Sequence, residues 1–270
     1  MKDGLRNIYR KHFKKSITKI KLIKNTYFNF GDKKQCYICK KKFGRFGKFR
    51  NGSKDITDYI DRLHVVGSDV DNFRCYFCGC HDRVRHLFMY FDKINFWTKF
   101  TDAKILHIAP EIELMNKIKE FNPKEYVLGD LNPYNSSSKK IDVTDIPYED
   151  AYFDVLICNH VLEHVPDYLK ALNEIKRVLK PNAAAVLQIP YSLLLEKHFE
   201  DTGINTNNLR LFFYDQEDHV RIFSKKNFLK DLQQLGFRLS ILEHDNLFDP
   251  NVFKKFGVNK EEDLILVYKS

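Results

Sequence analysis

The sequence predicts an α/β fold in which a doubly wound, mostly parallel sheet follows a small cysteine-rich module. Three observations support this prediction. Short apolar segments alternate with helical segments from Lys104 onward, four of the six cysteines form two close pairs, and glycines interrupt the region around those pairs. Strands separated by helical segments are typical of parallel sheets. The 270 residues suffice for one such domain and a smaller one.

Composition narrows the class of protein. The chain is 43% hydrophobic and 30% charged, which is ordinary for a globular protein. It has no run of about 18 apolar residues that would predict a membrane-spanning helix. The first fifteen residues lack the apolar core of a signal peptide, so we expect a cytoplasmic protein with reduced cysteines.

The net charge of +9 is concentrated at the N-terminus. Residues 1–50 contain seventeen lysines and arginines and two acids, whereas the rest of the chain has a net charge of −6. Within a predicted N-terminal arm (residues 1–35), residues 3–24 place apolar side chains among the bases at roughly helical spacing. Such a helix would lie on an anionic membrane surface, bind a partner, or pack on its own domain with a solvated basic face.

The predicted module, residues 36–86, contains two cysteine pairs with the spacing of metal ligands. Each of the pairs Cys36/Cys39 and Cys75/Cys78 is separated by two residues and can supply two corners of a tetrahedron. Four thiolates suit Zn²⁺, so we expect these cysteines to bind one structural zinc ion. The alternative, unligated cysteines in loops, would leave exposed thiols open to oxidation.

The remaining cysteines have other expected positions. Cys80 and His81 follow the second pair and could replace a ligand, although we expect them to lie just outside the ligand set. Cys158 belongs to an apolar strand segment and is expected in the core.

The large domain, residues 87–270, follows a helix predicted over about residues 83–97. Its predicted strands are KILHIA, EYVLGD, KKIDV, FDVLICN, AAAVLQIP, FRLSIL and DLILVY. Predicted helices are IELMNKIKEF, PDYLKALNEIKRVLK and Lys225–Leu235, the last capped by Ser224 and ended by Gly236.

Acidic residues end two of the predicted strands. Asp130 ends the second strand and Asp142 the third. In a doubly wound sheet, ligands bind outside the carboxyl ends of the strands, beside the first strand. A carboxylate after the second strand can accept hydrogen bonds from both ribose hydroxyls of NAD or S-adenosylmethionine. The loop after the first strand, LHIAPE, has no glycine, which disfavours close approach of a pyrophosphate and favours S-adenosylmethionine.

Several motifs together resemble the class I S-adenosylmethionine-dependent methyltransferases, which have a Rossmann-like fold, and in particular the type 11 methyltransferase group. A subgroup found among polysaccharide-biosynthesis proteins combines a CxxC…CxxCG zinc segment with LHxAPE and DHVR motifs. This chain has CYIC, CYFCGC, LHIAPE, NHVLEH and DHVR, and the resemblance covers roughly residues 36–237. It departs from the family at Asn182-Ala183, where a pair of glycines is usual. The resemblance implies seven strands, the last two forming an antiparallel edge.

The resemblance also implies which residues contact the cofactor. LHIAPE would face the methionine moiety, Asp130 would hold the ribose, and Asp142 and Val143 would flank adenine. Asn159 and His160 would line the site after the fourth strand. The residues expected to bind S-adenosylmethionine are therefore His107, Ala109, Pro110, Glu111, Asp130, Leu131, Asp142, Val143, Asn159 and His160.

Two histidines and an arginine are candidates for the chemistry. Methyl transfer from a sulfonium is an in-line displacement that depends on positioning, and a hydroxyl acceptor also benefits from a general base. His160 follows the fourth strand, whereas His219 and Arg221 lie in the irregular segment 191–223, which is expected to form a lid over the acceptor. We expect His219 or His160 to act as the base and Arg221 to bind an anionic part of the acceptor.

Structural roles for these motifs remain open. Glu163 and His164 could cap the following helix, and Asp218–Arg221 could form an internal salt-bridge network that holds the lid.

Three functions follow from these features. The first is O-methylation of a sugar or other polar metabolite in surface-glycan biosynthesis. The second is methylation of RNA or protein bound by the zinc module and the basic N-terminus, although few stacking aromatics interleave with the bases. The third is a non-catalytic interaction protein, against which the intact Asp130, Asp142 and NHVLEH argue. We expect an enzyme with a small-molecule or glycan acceptor, and leave open a peripheral contact of residues 1–24 with the inner membrane surface.

Overall fold

The structure, a computed structural model, describes residues 29–133 and 136–270. The predicted basic helix within residues 3–24 lies outside the described residues. The strands are β1 (Lys34–Gln35), β2 (Lys42–Phe43), β3 (Val65–Val66), β4 (Lys104–Ile108), β5 (Glu125–Asp130), β6 (Lys139–Lys140), β7 (Phe153–Cys158), β8 (Leu179–Val186), β9 (Tyr191–Ser192), β10 (Phe223–Ser224), β11 (Phe237–Leu242) and β12 (Leu264–Lys269). The α-helices are α1 (Asp58–Arg62), α2 (Asp82–Lys93), α3 (Ile112–Lys119), α4 (Tyr168–Val178), α5 (Asn207–Tyr214), α6 (Lys225–Gln234), α7 (His244–Leu247) and α8 (Val252–Phe256). Short 3-10 helices span Gly52–Asp55, Phe96–Phe100 and Leu162–His164.

Seven strands form the main sheet, in the order β11-β12-β8-β7-β4-β5-β6. Strands β4 to β8 pair in parallel, whereas β12 runs antiparallel to both β8 and β11. Apolar residues of the central strands, such as Leu106 and Ile157, pack into hydrophobic cores that cover both faces of the sheet. The predicted α/β fold and its antiparallel C-terminal edge are confirmed.

The ends of several elements follow from local capping. Helix α6 begins after Ser224, whose side chain accepts a hydrogen bond from the backbone of Asn227, and Gly236 with φ +80° follows its end. Helix α2 ends at Lys93, earlier than predicted, because Asn95 adopts a left-handed conformation. None of the helices among the described residues combines the length and apolar character needed to cross a bilayer.

The segment expected to be an irregular lid contains more regular structure than predicted. Helix α5 begins after Thr206, whose hydroxyl accepts a hydrogen bond from the backbone of Leu209. Strand β9 pairs with both β10 and β3, so the lid and the N-terminal part share a three-stranded sheet. The predicted boundary between residues 86 and 87 falls inside α2. The cysteine-rich module is therefore continuous with the large domain through one helix and one sheet.

Candidate functional site

Two neighbouring strands of the sheet end in residues with a strained backbone. Ala109 after β4 has φ +48° and His160 after β7 has φ +53°, a conformation that side chains rarely adopt. The Ala109 amide donates to the carbonyl of Gly129, and the His160 amide donates to the carbonyl of Gln188. Such strain is concentrated at functional sites, where surrounding contacts hold it. The carboxyl ends of β4 and β7 are thus the candidate site.

The loop after β4 is held by a buried histidine. The His107 Nε2 atom lies 2.8 Å from a carboxylate oxygen of Glu111, and its Nδ1 atom lies 2.8 Å from the hydroxyl of Tyr126. The other Glu111 oxygen accepts a hydrogen bond of 3.2 Å from Asn159. Burial raises the pKa of Glu111, but the hydrogen bond from His107 offsets this and the net pKa is lowered. The His107 side chain is fully buried and positions Glu111, and the cofactor contact expected of His107 stays a prediction.

The end of β5 presents a carboxylate beside an exposed apolar side chain. Asp130 is partly exposed and accepts a hydrogen bond from the backbone of Asn132. Leu131 is 54% exposed. Gly129 precedes them because a side chain there would meet Ile108 at 2.9 Å. This combination suits a ribose and a flat base.

The residues after β6 form a turn and not the predicted longer strand. Strand β6 ends at Lys140, and Asp142 accepts hydrogen bonds from the backbone and the hydroxyl of Thr144. Val143 is buried in the hydrophobic core. The expected position of Val143 beside adenine stays a prediction, and the burial of its side chain favours a contact through the backbone.

His160 lies between two buried carboxylates. Its ring nitrogens are each 3.6 Å from an oxygen, of Glu163 on one side and Glu262 on the other, and neither nitrogen has a hydrogen-bond partner among the described residues. Burial and the nearby Arg83 lower the pKa of His160, whereas the two carboxylates raise it and prevail. The Asn159 Oδ1 atom is also buried without a hydrogen-bond partner in the described part of the chain. The hydrogen-bonding capacity of these buried atoms is therefore unused within the described residues.

A cavity of about 440 Å³ lies between the lid and the segment from Phe49 to Arg83. Its lining combines aromatic side chains such as Phe49 and Phe73 with polar ones such as Arg83 and His219. The His219 Nδ1 atom lies 3.1 Å from the carbonyl of Tyr214, which fixes the ring, and burial lowers the pKa of His219 to about 4. The cavity is the candidate acceptor site.

Arg221 braces the lid. Its guanidinium donates to the carboxylate of Glu200 and to the backbone carbonyls of Leu162, Val165 and Pro166. The side chain is buried, and these bonds use most of its donors. The geometry favours the structural alternative considered for this motif over the predicted binding of an anionic acceptor.

Five cysteine sulfurs meet in the N-terminal module. The Sγ atoms of Cys36 and Cys78 are 3.7 Å apart, and those of Cys39 and Cys75 are 3.8 Å apart. Sulfurs bound to one zinc ion at about 2.3 Å in tetrahedral geometry have a similar separation. Cys80, expected outside the ligand set, lies 3.4 Å from Cys36. The mutually close group of four sulfurs contains Cys80 and not Cys39.

The hairpin around Cys75 has further features of a metal knuckle. The backbone of Phe77 donates to the Cys75 sulfur, and Gly79, with φ +85°, donates to the Cys75 carbonyl. The fully buried Arg85 donates to the carbonyl of Cys80. A buried cation here would balance the negative charge of four zinc-bound thiolates. The donor set therefore fits zinc, with one of two cysteines as the fourth ligand.

Sequence reasoning missed several groups in the site. Glu262 comes from an acidic stretch before β12, and Arg83 comes from the start of α2. The sequence did not indicate either residue, because a charged residue next to a turn is usually exposed to solvent. Only the paired acids immediately before an apolar strand, EEDLILVY, could have indicated Glu262.

Comparisons with known proteins found relatives of part of this chain. An uncharacterized protein of Methanocaldococcus jannaschii is 31% identical over 145 residues, which cover 52% of this chain and 56% of that protein. The demethylmenaquinone methyltransferase of Staphylococcus carnosus is 34% identical over 70 residues, covering 25% of this chain and 29% of that enzyme. The chain thus spans about half or less of the length of these curated relatives. A SAM-dependent methyltransferase structure from Archaeoglobus fulgidus aligns with a TM-score of 0.46 at 16% identity, covering 68% of this chain and 93% of that one.

A family match covers more than half of the sequence. Residues 81–240 match the family described as a methyltransferase domain. The matched region contains α2, the parallel strands of the sheet, the loops that hold Glu111 and His160, and the lid. The chain belongs to the methyltransferase domain family.

Proposed function

We propose that the protein is an S-adenosylmethionine-dependent methyltransferase that methylates an oxygen of a small polar acceptor. One observation carries the proposal. In a chain of this family, Asp130 ends β5 and Asn159 and His160 follow β7, so these polar residues lie at the carboxyl ends of the two parallel strands that flank β4. That is where doubly wound sheets bind nucleosides.

The groups present fit this cofactor. Asp130 would accept hydrogen bonds from the ribose hydroxyls, and the exposed Leu131 would cover the adenine. The unpartnered Oδ1 atom of Asn159 would accept a hydrogen bond from the ammonium group of the methionine moiety. Ala109, Pro110 and the turn at Asp142 would complete the site. When bound, S-adenosylmethionine supplies a methyl group activated by a sulfonium.

The acceptor would occupy the cavity beneath the lid. His219 lines this cavity, and the Tyr214 carbonyl holds its Nδ1–H, so the opposite nitrogen can receive a proton. His160 is the second candidate for the base, because its ring lies next to the cofactor position. Arg83 lines the cavity and would bind an anionic part of the acceptor, a role expected of Arg221 from the sequence.

A sugar or sugar nucleotide in surface-glycan biosynthesis remains the first candidate for the acceptor. Arg83, His219 and Gln216 give the cavity polar groups suited to hydroxyls and phosphate. A quinone precursor is the second candidate, since Phe49, Phe73 and several aliphatic residues line the same cavity. The relatives named as quinone methyltransferases motivate this alternative.

Incubation with donor labelled in its methyl group tests the proposal. Purified full-length protein would be assayed against sugar nucleotides, demethylated quinones and total RNA, and we expect label in the sugar nucleotides. His219→Ala should lower turnover about 10²–10⁴-fold with nearly unchanged affinity for S-adenosylhomocysteine. Lys226→Ala, at an exposed ion pair, is the control. Label in RNA alone would support the macromolecular alternative, and label in no acceptor would favour a non-catalytic protein.

The cysteine module is proposed to bind one structural zinc ion through Cys36, Cys39, Cys75 and Cys78. Its segment also forms one wall of the cavity, through Phe49 and Phe73. Zinc would then stabilise the acceptor site without taking part in the chemistry.

The basic N-terminus is proposed to contact an anionic membrane surface. Each lysine or arginine near such a surface contributes roughly 1 kcal/mol, reduced by salt. Co-sedimentation with anionic vesicles should be lost on deletion of residues 1–24. Equal pelleting of the full-length and shortened chains would exclude this role.

A further inference from the structure

Three side chains outside the cysteine module converge at the junction of the cofactor edge and the cavity. Glu163 and His164 belong to the 3-10 helix Leu162–His164 after β7, and His219 belongs to the lid. One carboxylate oxygen and one nitrogen of each ring all lie within 4.8 Å of one another. The lid backbone fixes this arrangement, because the Val220 amide donates to the Glu163 carbonyl.

The hydrogen bonds of the two imidazoles leave lone pairs for another partner. The Nδ1 atom of His164 lies 3.2 Å from the carbonyl of Asp218, and that of His219 lies 3.1 Å from the carbonyl of Tyr214. In a neutral ring, the nitrogen that donates to a carbonyl oxygen carries the hydrogen, so the Nε2 atom of each ring can offer its lone pair. Histidines that bind metals are commonly oriented by such a bond from the opposite nitrogen.

The carboxylate of Glu163 is buried and incompletely satisfied. Its side chain is 1% exposed, and its Oε2 atom has no hydrogen-bond partner within the described ranges. A buried carboxylate oxygen without a donor is costly. Two neutral imidazoles and a carboxylate bring acceptor atoms together at this spacing, and either protonation of a ring or a bound cation would remove their repulsion.

From this geometry we propose that Glu163, His164 and His219 form a second metal site, which binds a divalent transition-metal ion. Two imidazoles and one carboxylate suit zinc, cobalt, manganese or iron and leave positions open for an outside ligand. Since His219 lines the cavity, the open positions face the acceptor. The ion would hold and polarise an acceptor oxygen. His219 would then act as a ligand, and His160 would be left as the proton acceptor.

The role of the ion in polarising the acceptor oxygen rests on the proposed methyl transfer. Metal binding itself does not, because it is measurable without the methyl donor or the methyl acceptor. Full-length protein whose cysteine module is saturated with zinc would be titrated with Co²⁺ and followed by visible absorption. We expect one Co²⁺ per chain with a spectrum of nitrogen and oxygen ligands, lacking thiolate-to-cobalt charge transfer. Glu163→Gln and His164→Ala should each weaken this binding at least about 10-fold. His64→Ala removes a more exposed histidine of the same cavity and should bind Co²⁺ as the wild type does.

Three outcomes would overturn the proposal. These are absence of Co²⁺ binding to the wild type, equal binding by all variants, and a spectrum dominated by thiolate ligands. Melting temperatures identify a variant that has failed to fold, and His164→Ala guards against this because His164 is about one-third exposed. Metal binding without methyl transfer would refute the proposed function alone, and methyl transfer without metal binding would refute the metal site alone.

Discussion

Glu111 accepts a 2.8 Å hydrogen bond from His107, and this contact fixes the loop between the first strand of the catalytic sheet and its helix. Glu111→Ala would leave both His107 and Asn159 without this acceptor. We expect a loss of about 1–3 kcal/mol in the free energy of unfolding and weaker binding of S-adenosylhomocysteine. Denaturant unfolding and calorimetry measure the two effects. The control is Glu120→Ala, which removes an exposed ion pair with Lys117 and should cost little.

Asp130 is predicted to contribute to cofactor affinity and little to stability. Asp130 is partly exposed, and its carboxylate accepts a hydrogen bond from the nearby Asn132 amide. Asp130→Ala should weaken S-adenosylhomocysteine binding by about 1.5–3 kcal/mol, the typical contribution of charge-assisted hydrogen bonds. Calorimetric titration with an unchanged dissociation constant would show that the ribose lies elsewhere.

Zinc content distinguishes the two candidate ligand sets. We expect one structural zinc ion in the cysteine module, retained in Cys80→Ser and lost in Cys39→Ser and Cys75→Ser, because the paired spacing of the knuckles provides four sulfurs without Cys80. Elemental analysis after dialysis against metal-free buffer, with the second site removed by Glu163→Gln, gives the count. Retention in Cys39→Ser together with loss in Cys80→Ser would assign the fourth position to Cys80.

Arg221 is predicted to stabilise the lid. Arg221→Ala should lower the free energy of unfolding by about 1.5–3 kcal/mol, since three backbone carbonyls lose a charged donor. The control is Arg210→Ala. Arg210 lies in the same lid and donates a long hydrogen bond of 3.5 Å to the carbonyl of Ile204, so its removal should lower the free energy of unfolding by less. Thermal unfolding compares them. If Arg221→Ala keeps the wild-type stability and loses only affinity for the acceptor, the anion-binding role is restored.

His244 is predicted to make stability depend on pH. Burial and the adjacent His86 lower the pKa of His244 to about 4, from an ordinary value of 6.5. Between these values the unfolded chain binds the proton and the folded chain does not, so stability falls as the pH drops from 7 towards 4. His244→Asn can keep a bond to His86 and should lose less melting temperature between pH 7 and pH 5. An equal decrease in melting temperature between pH 7 and pH 5 in the wild type and the variant would contradict this assignment.

The periodic parts of this fold were predictable from the sequence. Strands such as FRLSIL and EYVLGD and the capped helix after Ser224 are encoded by local apolar patterns and caps. The acidic residue ending β5 was equally visible. The sequence did not predict the burial of His107, Val143 and Arg221, because burial depends on contacts with residues that are distant in sequence.

The sequence also could not predict which residues distant along the chain lie close together in the structure. Glu262 is about one hundred residues from His160, and the approach of Cys80 to Cys36 depends on how two knuckles pack. Spacing identified the cysteine pairs but could not exclude a fifth sulfur. The same limit applies to His219 and Glu163, which the lid brings together.

Arg85 determines where the chain can be divided. Its guanidinium bonds to the carbonyls of Asn72 and Phe73 on one side and of Phe256 and Gly257 on the other. A fragment beginning at residue 81, where the family match starts, would retain this buried cation and remove three of its carbonyl acceptors, those of Asn72, Phe73 and Cys80. Within the described chain, only the carbonyls of Phe256 and Gly257, in the turn before β12, would be left to accept from its guanidinium. We therefore expect that the methyltransferase domain cannot be separated at residue 81, because the N-terminal module supplies the acceptors of a buried side chain in its interior.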